Sequence, residues 1–194
     1  NRIDIVSCGW EHMNTTTEDD SILNRLELND GCEFFFSLGS KYKHKNFRWI
    51  LESARYNPKY KFVITGTGAF SNNENELKMV VPKNVIFTGY ITNEEIKSLM
   101  IHCKALIQPS LYEGFGLPPL EALSVGASIV VSNKSCLPEI YKGVAHYIDP
   151  YNYNVDLDKL MDESVDNPKI VLDEYTWERA AAQLLNVLYK EGNR

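Results

Sequence analysis

The chain has 194 residues, of which 44% are hydrophobic and 24% charged, so it has the composition of a globular protein and is too apolar to be disordered. Its formal net charge is −6, and its lysines and arginines are scattered, which argues against a nucleic-acid-binding or membrane-binding surface. No apolar run approaches the roughly 18 residues of a membrane span, and no leader sequence is recognisable. We therefore expect a soluble, cytoplasmic α/β protein.

The cysteines are widely spaced and form no CxxC pair: Cys8, Cys32, Cys103 and Cys136. That spacing fits neither a zinc site nor a disulfide framework. We expect free thiols in a reducing compartment, no metal and no cofactor.

Short β-rich runs alternate with helical patterns along most of the chain, and several runs are continuously apolar, as strands buried on both faces of a parallel sheet should be. The predicted strands are Ile3–Ser7, Glu33–Leu38, Lys61–Thr65, Asn84–Thr88, Ala105–Gln108, Ser128–Val131 and Ala145–Ile148. The predicted helices are Phe47–Tyr56, Glu74–Val80, Asn93–His102, Pro118–Val125, Pro138–Lys142, Val155–Val165 and Thr176–Lys190. This alternation predicts a Rossmann-like, doubly wound parallel sheet with ligands at the carboxyl ends of its strands.

The first 30 residues are predicted to form a linker with one strand and a polar, mobile loop over Glu11–Asp20, followed by a ligand-binding domain over residues 31–194. The chain starts at Asn1 without a methionine, directly before a strand-like run, which is typical of a piece of a longer polypeptide. Thr92 and Glu95 have the spacing of a capping box at the start of a helix.

The most informative block begins where a predicted strand ends at Gln108. A loop containing Gly114 and Gly116 follows, and Pro118 and Pro119 open a helix. Proline suits a first helical turn, where amides lack intrahelical partners, and glycine lets the backbone approach a ligand. The block therefore predicts a helix N-terminus facing a glycine-lined cleft, an arrangement that binds phosphate.

Two glutamates flank this block. Glu113 lies in the predicted loop, where its carboxylate is able to accept hydrogen bonds from sugar hydroxyls, and Glu121 lies about one turn into the helix, within reach of the paired hydroxyls of a ribose. A hydrogen bond to a charged acceptor contributes about 1.5–3 kcal/mol, which is enough to orient a ligand.

The block resembles the signature of family 4 of the GT-B-fold, retaining glycosyltransferases (glycosyl transferases group 1), in which two glutamates are separated by seven residues. Further segments match the family in the same order: Gly39–Asn46, Val63–Gly68, Val85–Ile91, Leu137–Ile140 and Tyr147–Pro150. The run Gly9–His12 is similar to the mannosyltransferase-like members. The resemblance covers residues 33–190, which correspond to the family's C-terminal donor domain.

The resemblance implies a role for each matched position. Glu113 and Lys45 are the expected catalytic residues, contacting the donor sugar and the diphosphate leaving group, and Glu121 is expected to bind the ribose. The other expected donor-binding residues act largely through their backbone: Gly39, Ser40, Gly66, Gly68, Tyr90, Ile91, Gly114, Phe115, Gly116 and Leu117. Of these, Tyr90 and Ile91 are expected to meet the base. A cation and helix amides stabilise a departing diphosphate electrostatically, so no metal is required.

This chain departs from the family at one phosphate-binding position. Many members carry an arginine just after the first glycine of the phosphate loop, where this chain has Ser40. The second cation is then left open among Lys41, Lys43 and Lys45, with His44 contributing charge only when protonated.

We therefore expect a donor-binding domain that acts with a preceding N-terminal domain, absent from this chain, to transfer a hexose from a GDP- or UDP-linked donor. Mannose is the favoured sugar, and a glycan or lipid-linked acceptor in polysaccharide biosynthesis is expected. The isolated domain should be inactive, and peripheral membrane association is expected only of the full-length enzyme. The alternatives are a nucleotide-sugar epimerase of the same architecture and a non-catalytic nucleotide-sugar-binding module.

Other motifs have simpler explanations. Gly66-Thr-Gly68 lacks the third glycine of a nicotinamide-binding loop, and no acidic residue ends the following strand. The acidic runs Glu18–Asp20 and Asp156–Asp158 are explained by solvation and helix capping rather than by metal binding. Three histidines have no evident partner and are predicted to be packed or exposed rather than catalytic: His12, His102 and His146.

Overall fold

The computed structural model describes residues 3–29, 31–39, 42–66 and 80–192, without the side chains of 190–192. Within these ranges, six parallel strands form one sheet in the order β3-β2-β1-β4-β5-β6. The strands are β1 (Phe34–Leu38), β2 (Lys61–Thr65), β3 (Val85–Gly89), β4 (Ala105–Gln108), β5 (Ser128–Ser132) and β6 (His146–Ile148).

Helices cover both faces of this sheet. They are α1 (His12–Thr15), α2 (Ser21–Arg25), α3 (Phe47–Tyr56), α4 (Asn93–His102), α5 (Leu117–Ser124), α6 (Leu137–Tyr141), α7 (Leu157–Met161), α8 (Lys169–Glu174) and α9 (Trp177–Gly192). Single 3-10 turns occupy Lys43–Lys45 and Lys142–Val144.

The strands bury side chains on both faces, as their apolar runs predict. In β1, Phe34 and Phe36 pack on the face covered by α4, α5 and α6, whereas Phe35 packs on the face covered by α3 and α7. In β5, Val131 and Val130 divide in the same way. Because successive side chains of a strand point to opposite faces, one run of apolar residues supplies both cores.

The strand order reverses between β1 and β4, where Phe35 pairs with Ala105 and Phe36 with Leu106. The loops after these two strands leave in opposite directions, so a crevice opens at their carboxyl ends. Ligands of open α/β sheets bind at such a point. The architecture is the doubly wound parallel sheet that the sequence predicts.

Most predicted elements are confirmed. The bounds of β2, β4, α3 and α4 agree with the prediction residue for residue, and the Thr92–Glu95 capping box is present in both directions. These elements have strong local signals, either a continuous apolar run or a side-chain cap. Their bounds are therefore predictable without knowledge of the tertiary contacts.

Three expectations differ from the structure. The predicted strand over Ile3–Ser7 is wrong, because described residues 3–10 have no regular structure. The expected mobile loop over Glu11–Asp20 contains α1 and is held to α4, where Lys97 donates to the carbonyls of Met13 and Thr16 at 3.0 and 2.7 Å. The sequence also missed the short helices α2 and α8.

Two further expectations remain predictions. The predicted helix Glu74–Val80 falls almost entirely outside the described residues, which resume at residue 80. The domain boundary predicted after residue 30 also stays a prediction, although Ile22, Leu23 and Leu28 pack into the α4–α6 core.

The four cysteines are unpaired, as expected. Burial raises the pKa of the Cys103 thiol to about 12, so this group stays protonated and packs as a small apolar side chain. Over the described residues, no helix is both long and apolar enough to cross a bilayer.

Gly116 precedes α5 with a left-handed φ of 87°, and a Cβ at this position would lie 2.7 Å from Cδ2 of Leu137. We expect Gly116→Ala to destabilise the fold by about 1–3 kcal/mol through backbone strain, with an added cost for displacing Leu137. Gly126→Ala is the matched control, because Gly126 has a φ of 88° but no atom within 4 Å of a Cβ. Chemical denaturation of both variants measures the difference, and equal losses would contradict the packing constraint.

Candidate functional site

Three loops at the carboxyl edge of the sheet are joined through Asn46. Its Nδ2 donates to the carbonyl of Pro109 at 3.0 Å and to that of Pro150 at 2.9 Å. The amide of Leu111 donates to the carbonyl of His44 at 2.7 Å. The loops that follow β1, β4 and β6 are therefore held as one cluster, although they are far apart in the sequence.

Lys45 and Glu113 meet in this cluster. Lys45 Nζ donates to both carboxylate oxygens of Glu113, at 2.8 and 3.0 Å. Lys45 follows β1 and Glu113 follows β4, so the ion pair crosses the point where the strand order reverses. The Glu113 side chain is 9% exposed and that of Lys45 22%. Carboxylates buried to this extent require a partner, and Lys45 provides it.

Serine hydroxyls hold both the side chain and the backbone of Glu113 by hydrogen bonds. Ser110 Oγ donates to Oε1 of Glu113 at 2.6 Å, and the carbonyl of Ser110 accepts from Ser132 Oγ. Ser135 Oγ accepts from the Glu113 amide at 3.2 Å and donates to its carbonyl at 2.9 Å. Both the carboxylate and the backbone of Glu113 are thus held, which favours one side-chain orientation.

Helix α5 begins one residue after Gly116, and its first turn has few amide donors. Pro118 and Pro119 carry no N–H, and the Leu120 amide interacts with the hydroxyl of Tyr141, which donates to the Gly116 carbonyl. Burial raises the pKa of Tyr141 well above its usual range, so this hydroxyl remains a donor. The candidate amides for an anion are therefore those of residues 114–117, just before the helix and in its first residue.

Gly114 differs from Gly116 in what it requires of the backbone. It is exposed, its φ is not left-handed, and a Cβ there would meet no atom within 4 Å. Neither backbone conformation nor packing within the described structure demands a glycine at this position. Free space above the backbone next to Glu113 is the feature that a closely approaching ligand needs.

A cleft of about 360 Å³ lies beside the ion pair, at the ends of β1, β2 and β3. Its lining includes Gly39, Lys45, Thr65, Gly66, Tyr90, Ile91 and Asn93. A Cβ on Gly66 would lie 1.4 Å from the Gly39 carbonyl oxygen, so the two loops abut through glycine. At the far end, Tyr90 is 81% exposed whereas Ile91 is buried, which gives this end an aromatic rim.

Glu121 lies within α5 and contacts the beginning of the chain. Its Oε1 is 2.9 Å from Nε2 of His12, and its side chain is 15% exposed. The other ring nitrogen of His12 accepts from Trp177 Nε1 at 3.2 Å. His12, which has no evident partner in the sequence, thus has two in the fold, because residues 109 positions apart meet here.

The structure thus brings the predicted residues together in two groups that share Lys45. Gly39, Gly66, Tyr90 and Ile91 border the cleft with it, while Glu113 contacts it and leads into residues 114–117 and α5. In the second group, Phe115 turns its ring onto Tyr175 of the α8 end, with ring centroids 5.2 Å apart.

Two predicted donor-binding residues, Ser40 and Gly68, lie outside the described residues, as does Lys41. Of the other candidates for a second cation, His44 is exposed and stacks on Tyr42, with ring centroids 5.8 Å apart. The identity of the second cation stays open between these positions.

The residues that position the site were not found from the sequence. They are Asn46, Ser110, Ser132, Ser135, His12 and Trp177. Except for Ser110, which donates to Glu113 three residues away, each acts through a contact between distant segments, and single polar residues carry no pattern that reveals such contacts. Ser110 alone stands inside the block that the sequence singled out.

The second acidic run caps a helix as predicted, whereas Asp20 of the first makes side-chain contacts with α4 that neither capping nor solvation predicts. Asp156 accepts from the amides of Asp158 and Lys159 at the start of α7, and Asp20 contacts Ser98 and His102. Over the described part of the chain, no three His, Cys, Asp or Glu residues are grouped so that they could hold a metal ion.

Comparison with known proteins identifies the family. The family model of glycosyl transferases group 1 matches residues 18–191. The serotype-specific mannosyltransferase WbdA of Escherichia coli is 38% identical over 81 residues, which are 42% of this chain and 10% of that protein. The O-antigen chain mannosyltransferase B of Escherichia coli is 26% identical over 168 residues, covering 77% of this chain and 44% of that protein. The chain therefore spans less than half the length of these relatives.

Solved structures have a similar fold. Sucrose-phosphate synthase from Thermosynechococcus elongatus superposes with a TM-score of 0.75 over 98% of this chain and 52% of that chain, at 17% sequence identity. The structural neighbours of this chain are GT-B glycosyltransferases, so the six-stranded sheet is one GT-B Rossmann-like domain. With the family model matched over residues 18–191, the chain belongs to the glycosyl transferases group 1 family.

Proposed function

We propose that this domain binds the nucleotide-sugar donor of a retaining hexosyltransferase, with GDP-mannose as the preferred donor. The observation that carries the proposal is the contact between Lys45 and Glu113 across the reversal of strand order. It places a cation and a carboxylate at the edge where this fold binds ligands. The mannosyltransferase names of the relatives support the choice of sugar.

The proposed donor runs along the edge of the sheet. Its base lies in the cleft beside Tyr90 and the Ile91 backbone, and its ribose hydroxyls lie at Glu121. The diphosphate lies between Lys45 and the amides of residues 114–117, and the sugar hydroxyls face Glu113. This order is the one that the resemblance to the family implies, and the two groups of residues that share Lys45 support it by bringing the expected base, phosphate and sugar contacts to one edge of the sheet.

Lys45 has the donors that this arrangement needs. An ammonium group has three N–H donors, of which two face Glu113, so one remains for a phosphate oxygen. When the bond between the anomeric carbon and the diphosphate breaks, negative charge develops on the departing oxygen. The Lys45 ammonium stabilises that charge without reorganising during the reaction, because Asn46 fixes its loop and Ser110 fixes its partner Glu113.

The acceptor is proposed to be a glycan or lipid-linked saccharide of polysaccharide biosynthesis, in keeping with the O-antigen chain named for one relative. Because the chain covers 44% of that relative, acceptor binding is proposed to require a preceding domain, so the isolated domain binds donor without transfer. The full-length enzyme is proposed to act in the cytoplasm, with any membrane association peripheral.

A transfer assay on the full-length protein tests the proposal directly. GDP-mannose, UDP-glucose and UDP-galactose are supplied with a mannose-terminated oligosaccharide, and the anomeric configuration of the product is read by NMR. We expect an α-linked mannoside from GDP-mannose. A β-linked product would contradict retention. An epimerised nucleotide sugar formed without acceptor would instead support an epimerase.

Lys45→Met should weaken the binding of GDP by about 10- to 100-fold, because a charge-assisted hydrogen bond contributes about 1.5–3 kcal/mol. The binding of guanosine, which has no phosphate, should change much less. Lys104→Met is the matched control, since Lys104 pairs with Glu33 at 2.7 Å and has a similar side-chain exposure, 27% against 22%. Calorimetry measures both ligands, and equal losses for GDP and guanosine would reject the phosphate role.

Gly114→Ala separates ligand binding from folding. Because a Cβ at Gly114 meets no atom within 4 Å, we expect the free energy of unfolding to stay within about 0.5 kcal/mol of the wild type. The added methyl group should obstruct a ligand against the loop and weaken GDP-mannose binding by about tenfold. Denaturation and calorimetry on the same variant give the two quantities. Unchanged GDP-mannose affinity in a stable variant would place the donor elsewhere.

A further inference from the structure

His12 is the group through which the start of the chain reaches the proposed donor site. Its Nε2 lies 2.9 Å from Oε1 of Glu121, which is 15% exposed in its side chain, while His12 itself is 40% exposed. The two residues are 109 positions apart, and nothing in their type or spacing predicts that they are in contact. The contact therefore exists because the fold places α1 beside α5.

The contact with Trp177 decides which nitrogen of His12 carries the proton. Trp177 Nε1 is 3.2 Å from Nδ1 of His12, and an indole N–H donates and never accepts. Nδ1 must then accept, which assigns the proton of the neutral ring to Nε2. His12 consequently donates a hydrogen bond to the Glu121 carboxylate.

The backbone on both sides of the His12–Trp177 contact is also held by hydrogen bonds. The carboxylate of Glu11 accepts from the backbone amide of Trp177 at 3.0 and 3.1 Å and from that of Trp10 at 3.0 Å. The indole of Trp10 donates to the carbonyl of Leu172 at 3.0 Å. The turn that carries His12 is thus attached to the ends of α8 and α9, and the imidazole has little freedom to move.

A neutral donor suits a carboxylate that must bind a ribose. It fixes the side-chain rotamer of Glu121 without cancelling its charge. A carboxylate has about four acceptor sites, so about three remain after His12 uses one, enough for the two ribose hydroxyls. A protonated lysine in the same place would hold the carboxylate but would also compete with the hydroxyls for its charge.

We propose that His12 is a positioning residue that orients the Glu121 carboxylate toward the ribose hydroxyls of the donor nucleotide, with Trp177 setting its tautomer. The inference rests on the proposed function, because it assumes that Glu121 binds the ribose. His12 acts through Glu121 and does not itself need to touch the donor.

The test compares two ligands that differ in the ribose hydroxyls alone: GDP and 2′,3′-dideoxy-GDP, or the uridine pair if the protein prefers that base. Binding of each is measured by calorimetry to the wild type and to His12→Ala, His12→Gln, Trp177→Phe and Glu121→Ala. His102→Ala is the matched control, because His102 is 43% exposed and also lies beside a carboxylate, 3.3 Å from Asp20. Thermal unfolding of every variant accompanies the binding data.

We expect His12→Ala to weaken GDP by about tenfold and to leave dideoxy-GDP nearly unchanged, so that the ratio of the two affinities falls. His12→Gln should restore most of the ratio, since its amide also donates. Trp177→Phe should lower the ratio less, because the His12 imidazole remains beside Glu121 and only the hydrogen bond that sets its tautomer is lost. His102→Ala should change neither affinity.

Two results overturn the proposal in distinguishable ways. If His12→Ala weakens both ligands equally while Glu121→Ala lowers the ratio, His12 is merely structural and the ribose assignment stands. If Glu121→Ala leaves the ratio unchanged, the ribose assignment fails and the positioning role fails with it. Should His12→Ala prove too unstable to measure, an unchanged ratio in Trp177→Phe overturns the proposal that Trp177 and His12 position Glu121.

Discussion

The ammonium–carboxylate contact between Lys45 and Glu113 is the interaction on which the candidate site depends. It joins the loop after β1 to the loop after β4. These are the two central strands between which the strand order reverses. A nearly buried carboxylate on one loop and a part-buried ammonium on the other would each be costly alone. Their pairing joins the two sides of the crevice and leaves a cation at the edge where ligands of this fold bind.

The pair is held in place by hydrogen bonds from the loops that follow several strands. Asn46 ties the loops after β1, β4 and β6, and the Ser110 and Ser135 hydroxyls fix the carboxylate and the backbone of Glu113. Around it, the two apolar cores of the sheet hold the strand ends in register. The polar site therefore stands on a rigid base, although its residues come from loops.

The sequence predicted the sheet well, for physical reasons that also explain its failures, whereas the roles assigned to the functional block stay predictions. Apolar runs and a capping box are local signals, and they located β2, β4, α3 and α4 correctly. The Glu113–Glu121 block combined glycine, proline and acid residues whose chemistry is readable at short range. The contacts of Asn46 and His12 are long-range, so no local pattern announces them. The Ile3–Ser7 run is apolar enough for a strand, yet it joins no strand of the described sheet.

The clamp made by Asn46 has a consequence for the thermodynamics of binding. Loops that must be ordered by a ligand reduce its affinity by the conformational entropy they lose. Here the three loops are already fixed to one another by direct hydrogen bonds between 2.7 and 3.0 Å. For the parts of these loops that the structure describes, binding of the proposed donor would then require little further ordering, which lowers the entropic penalty on the protein side.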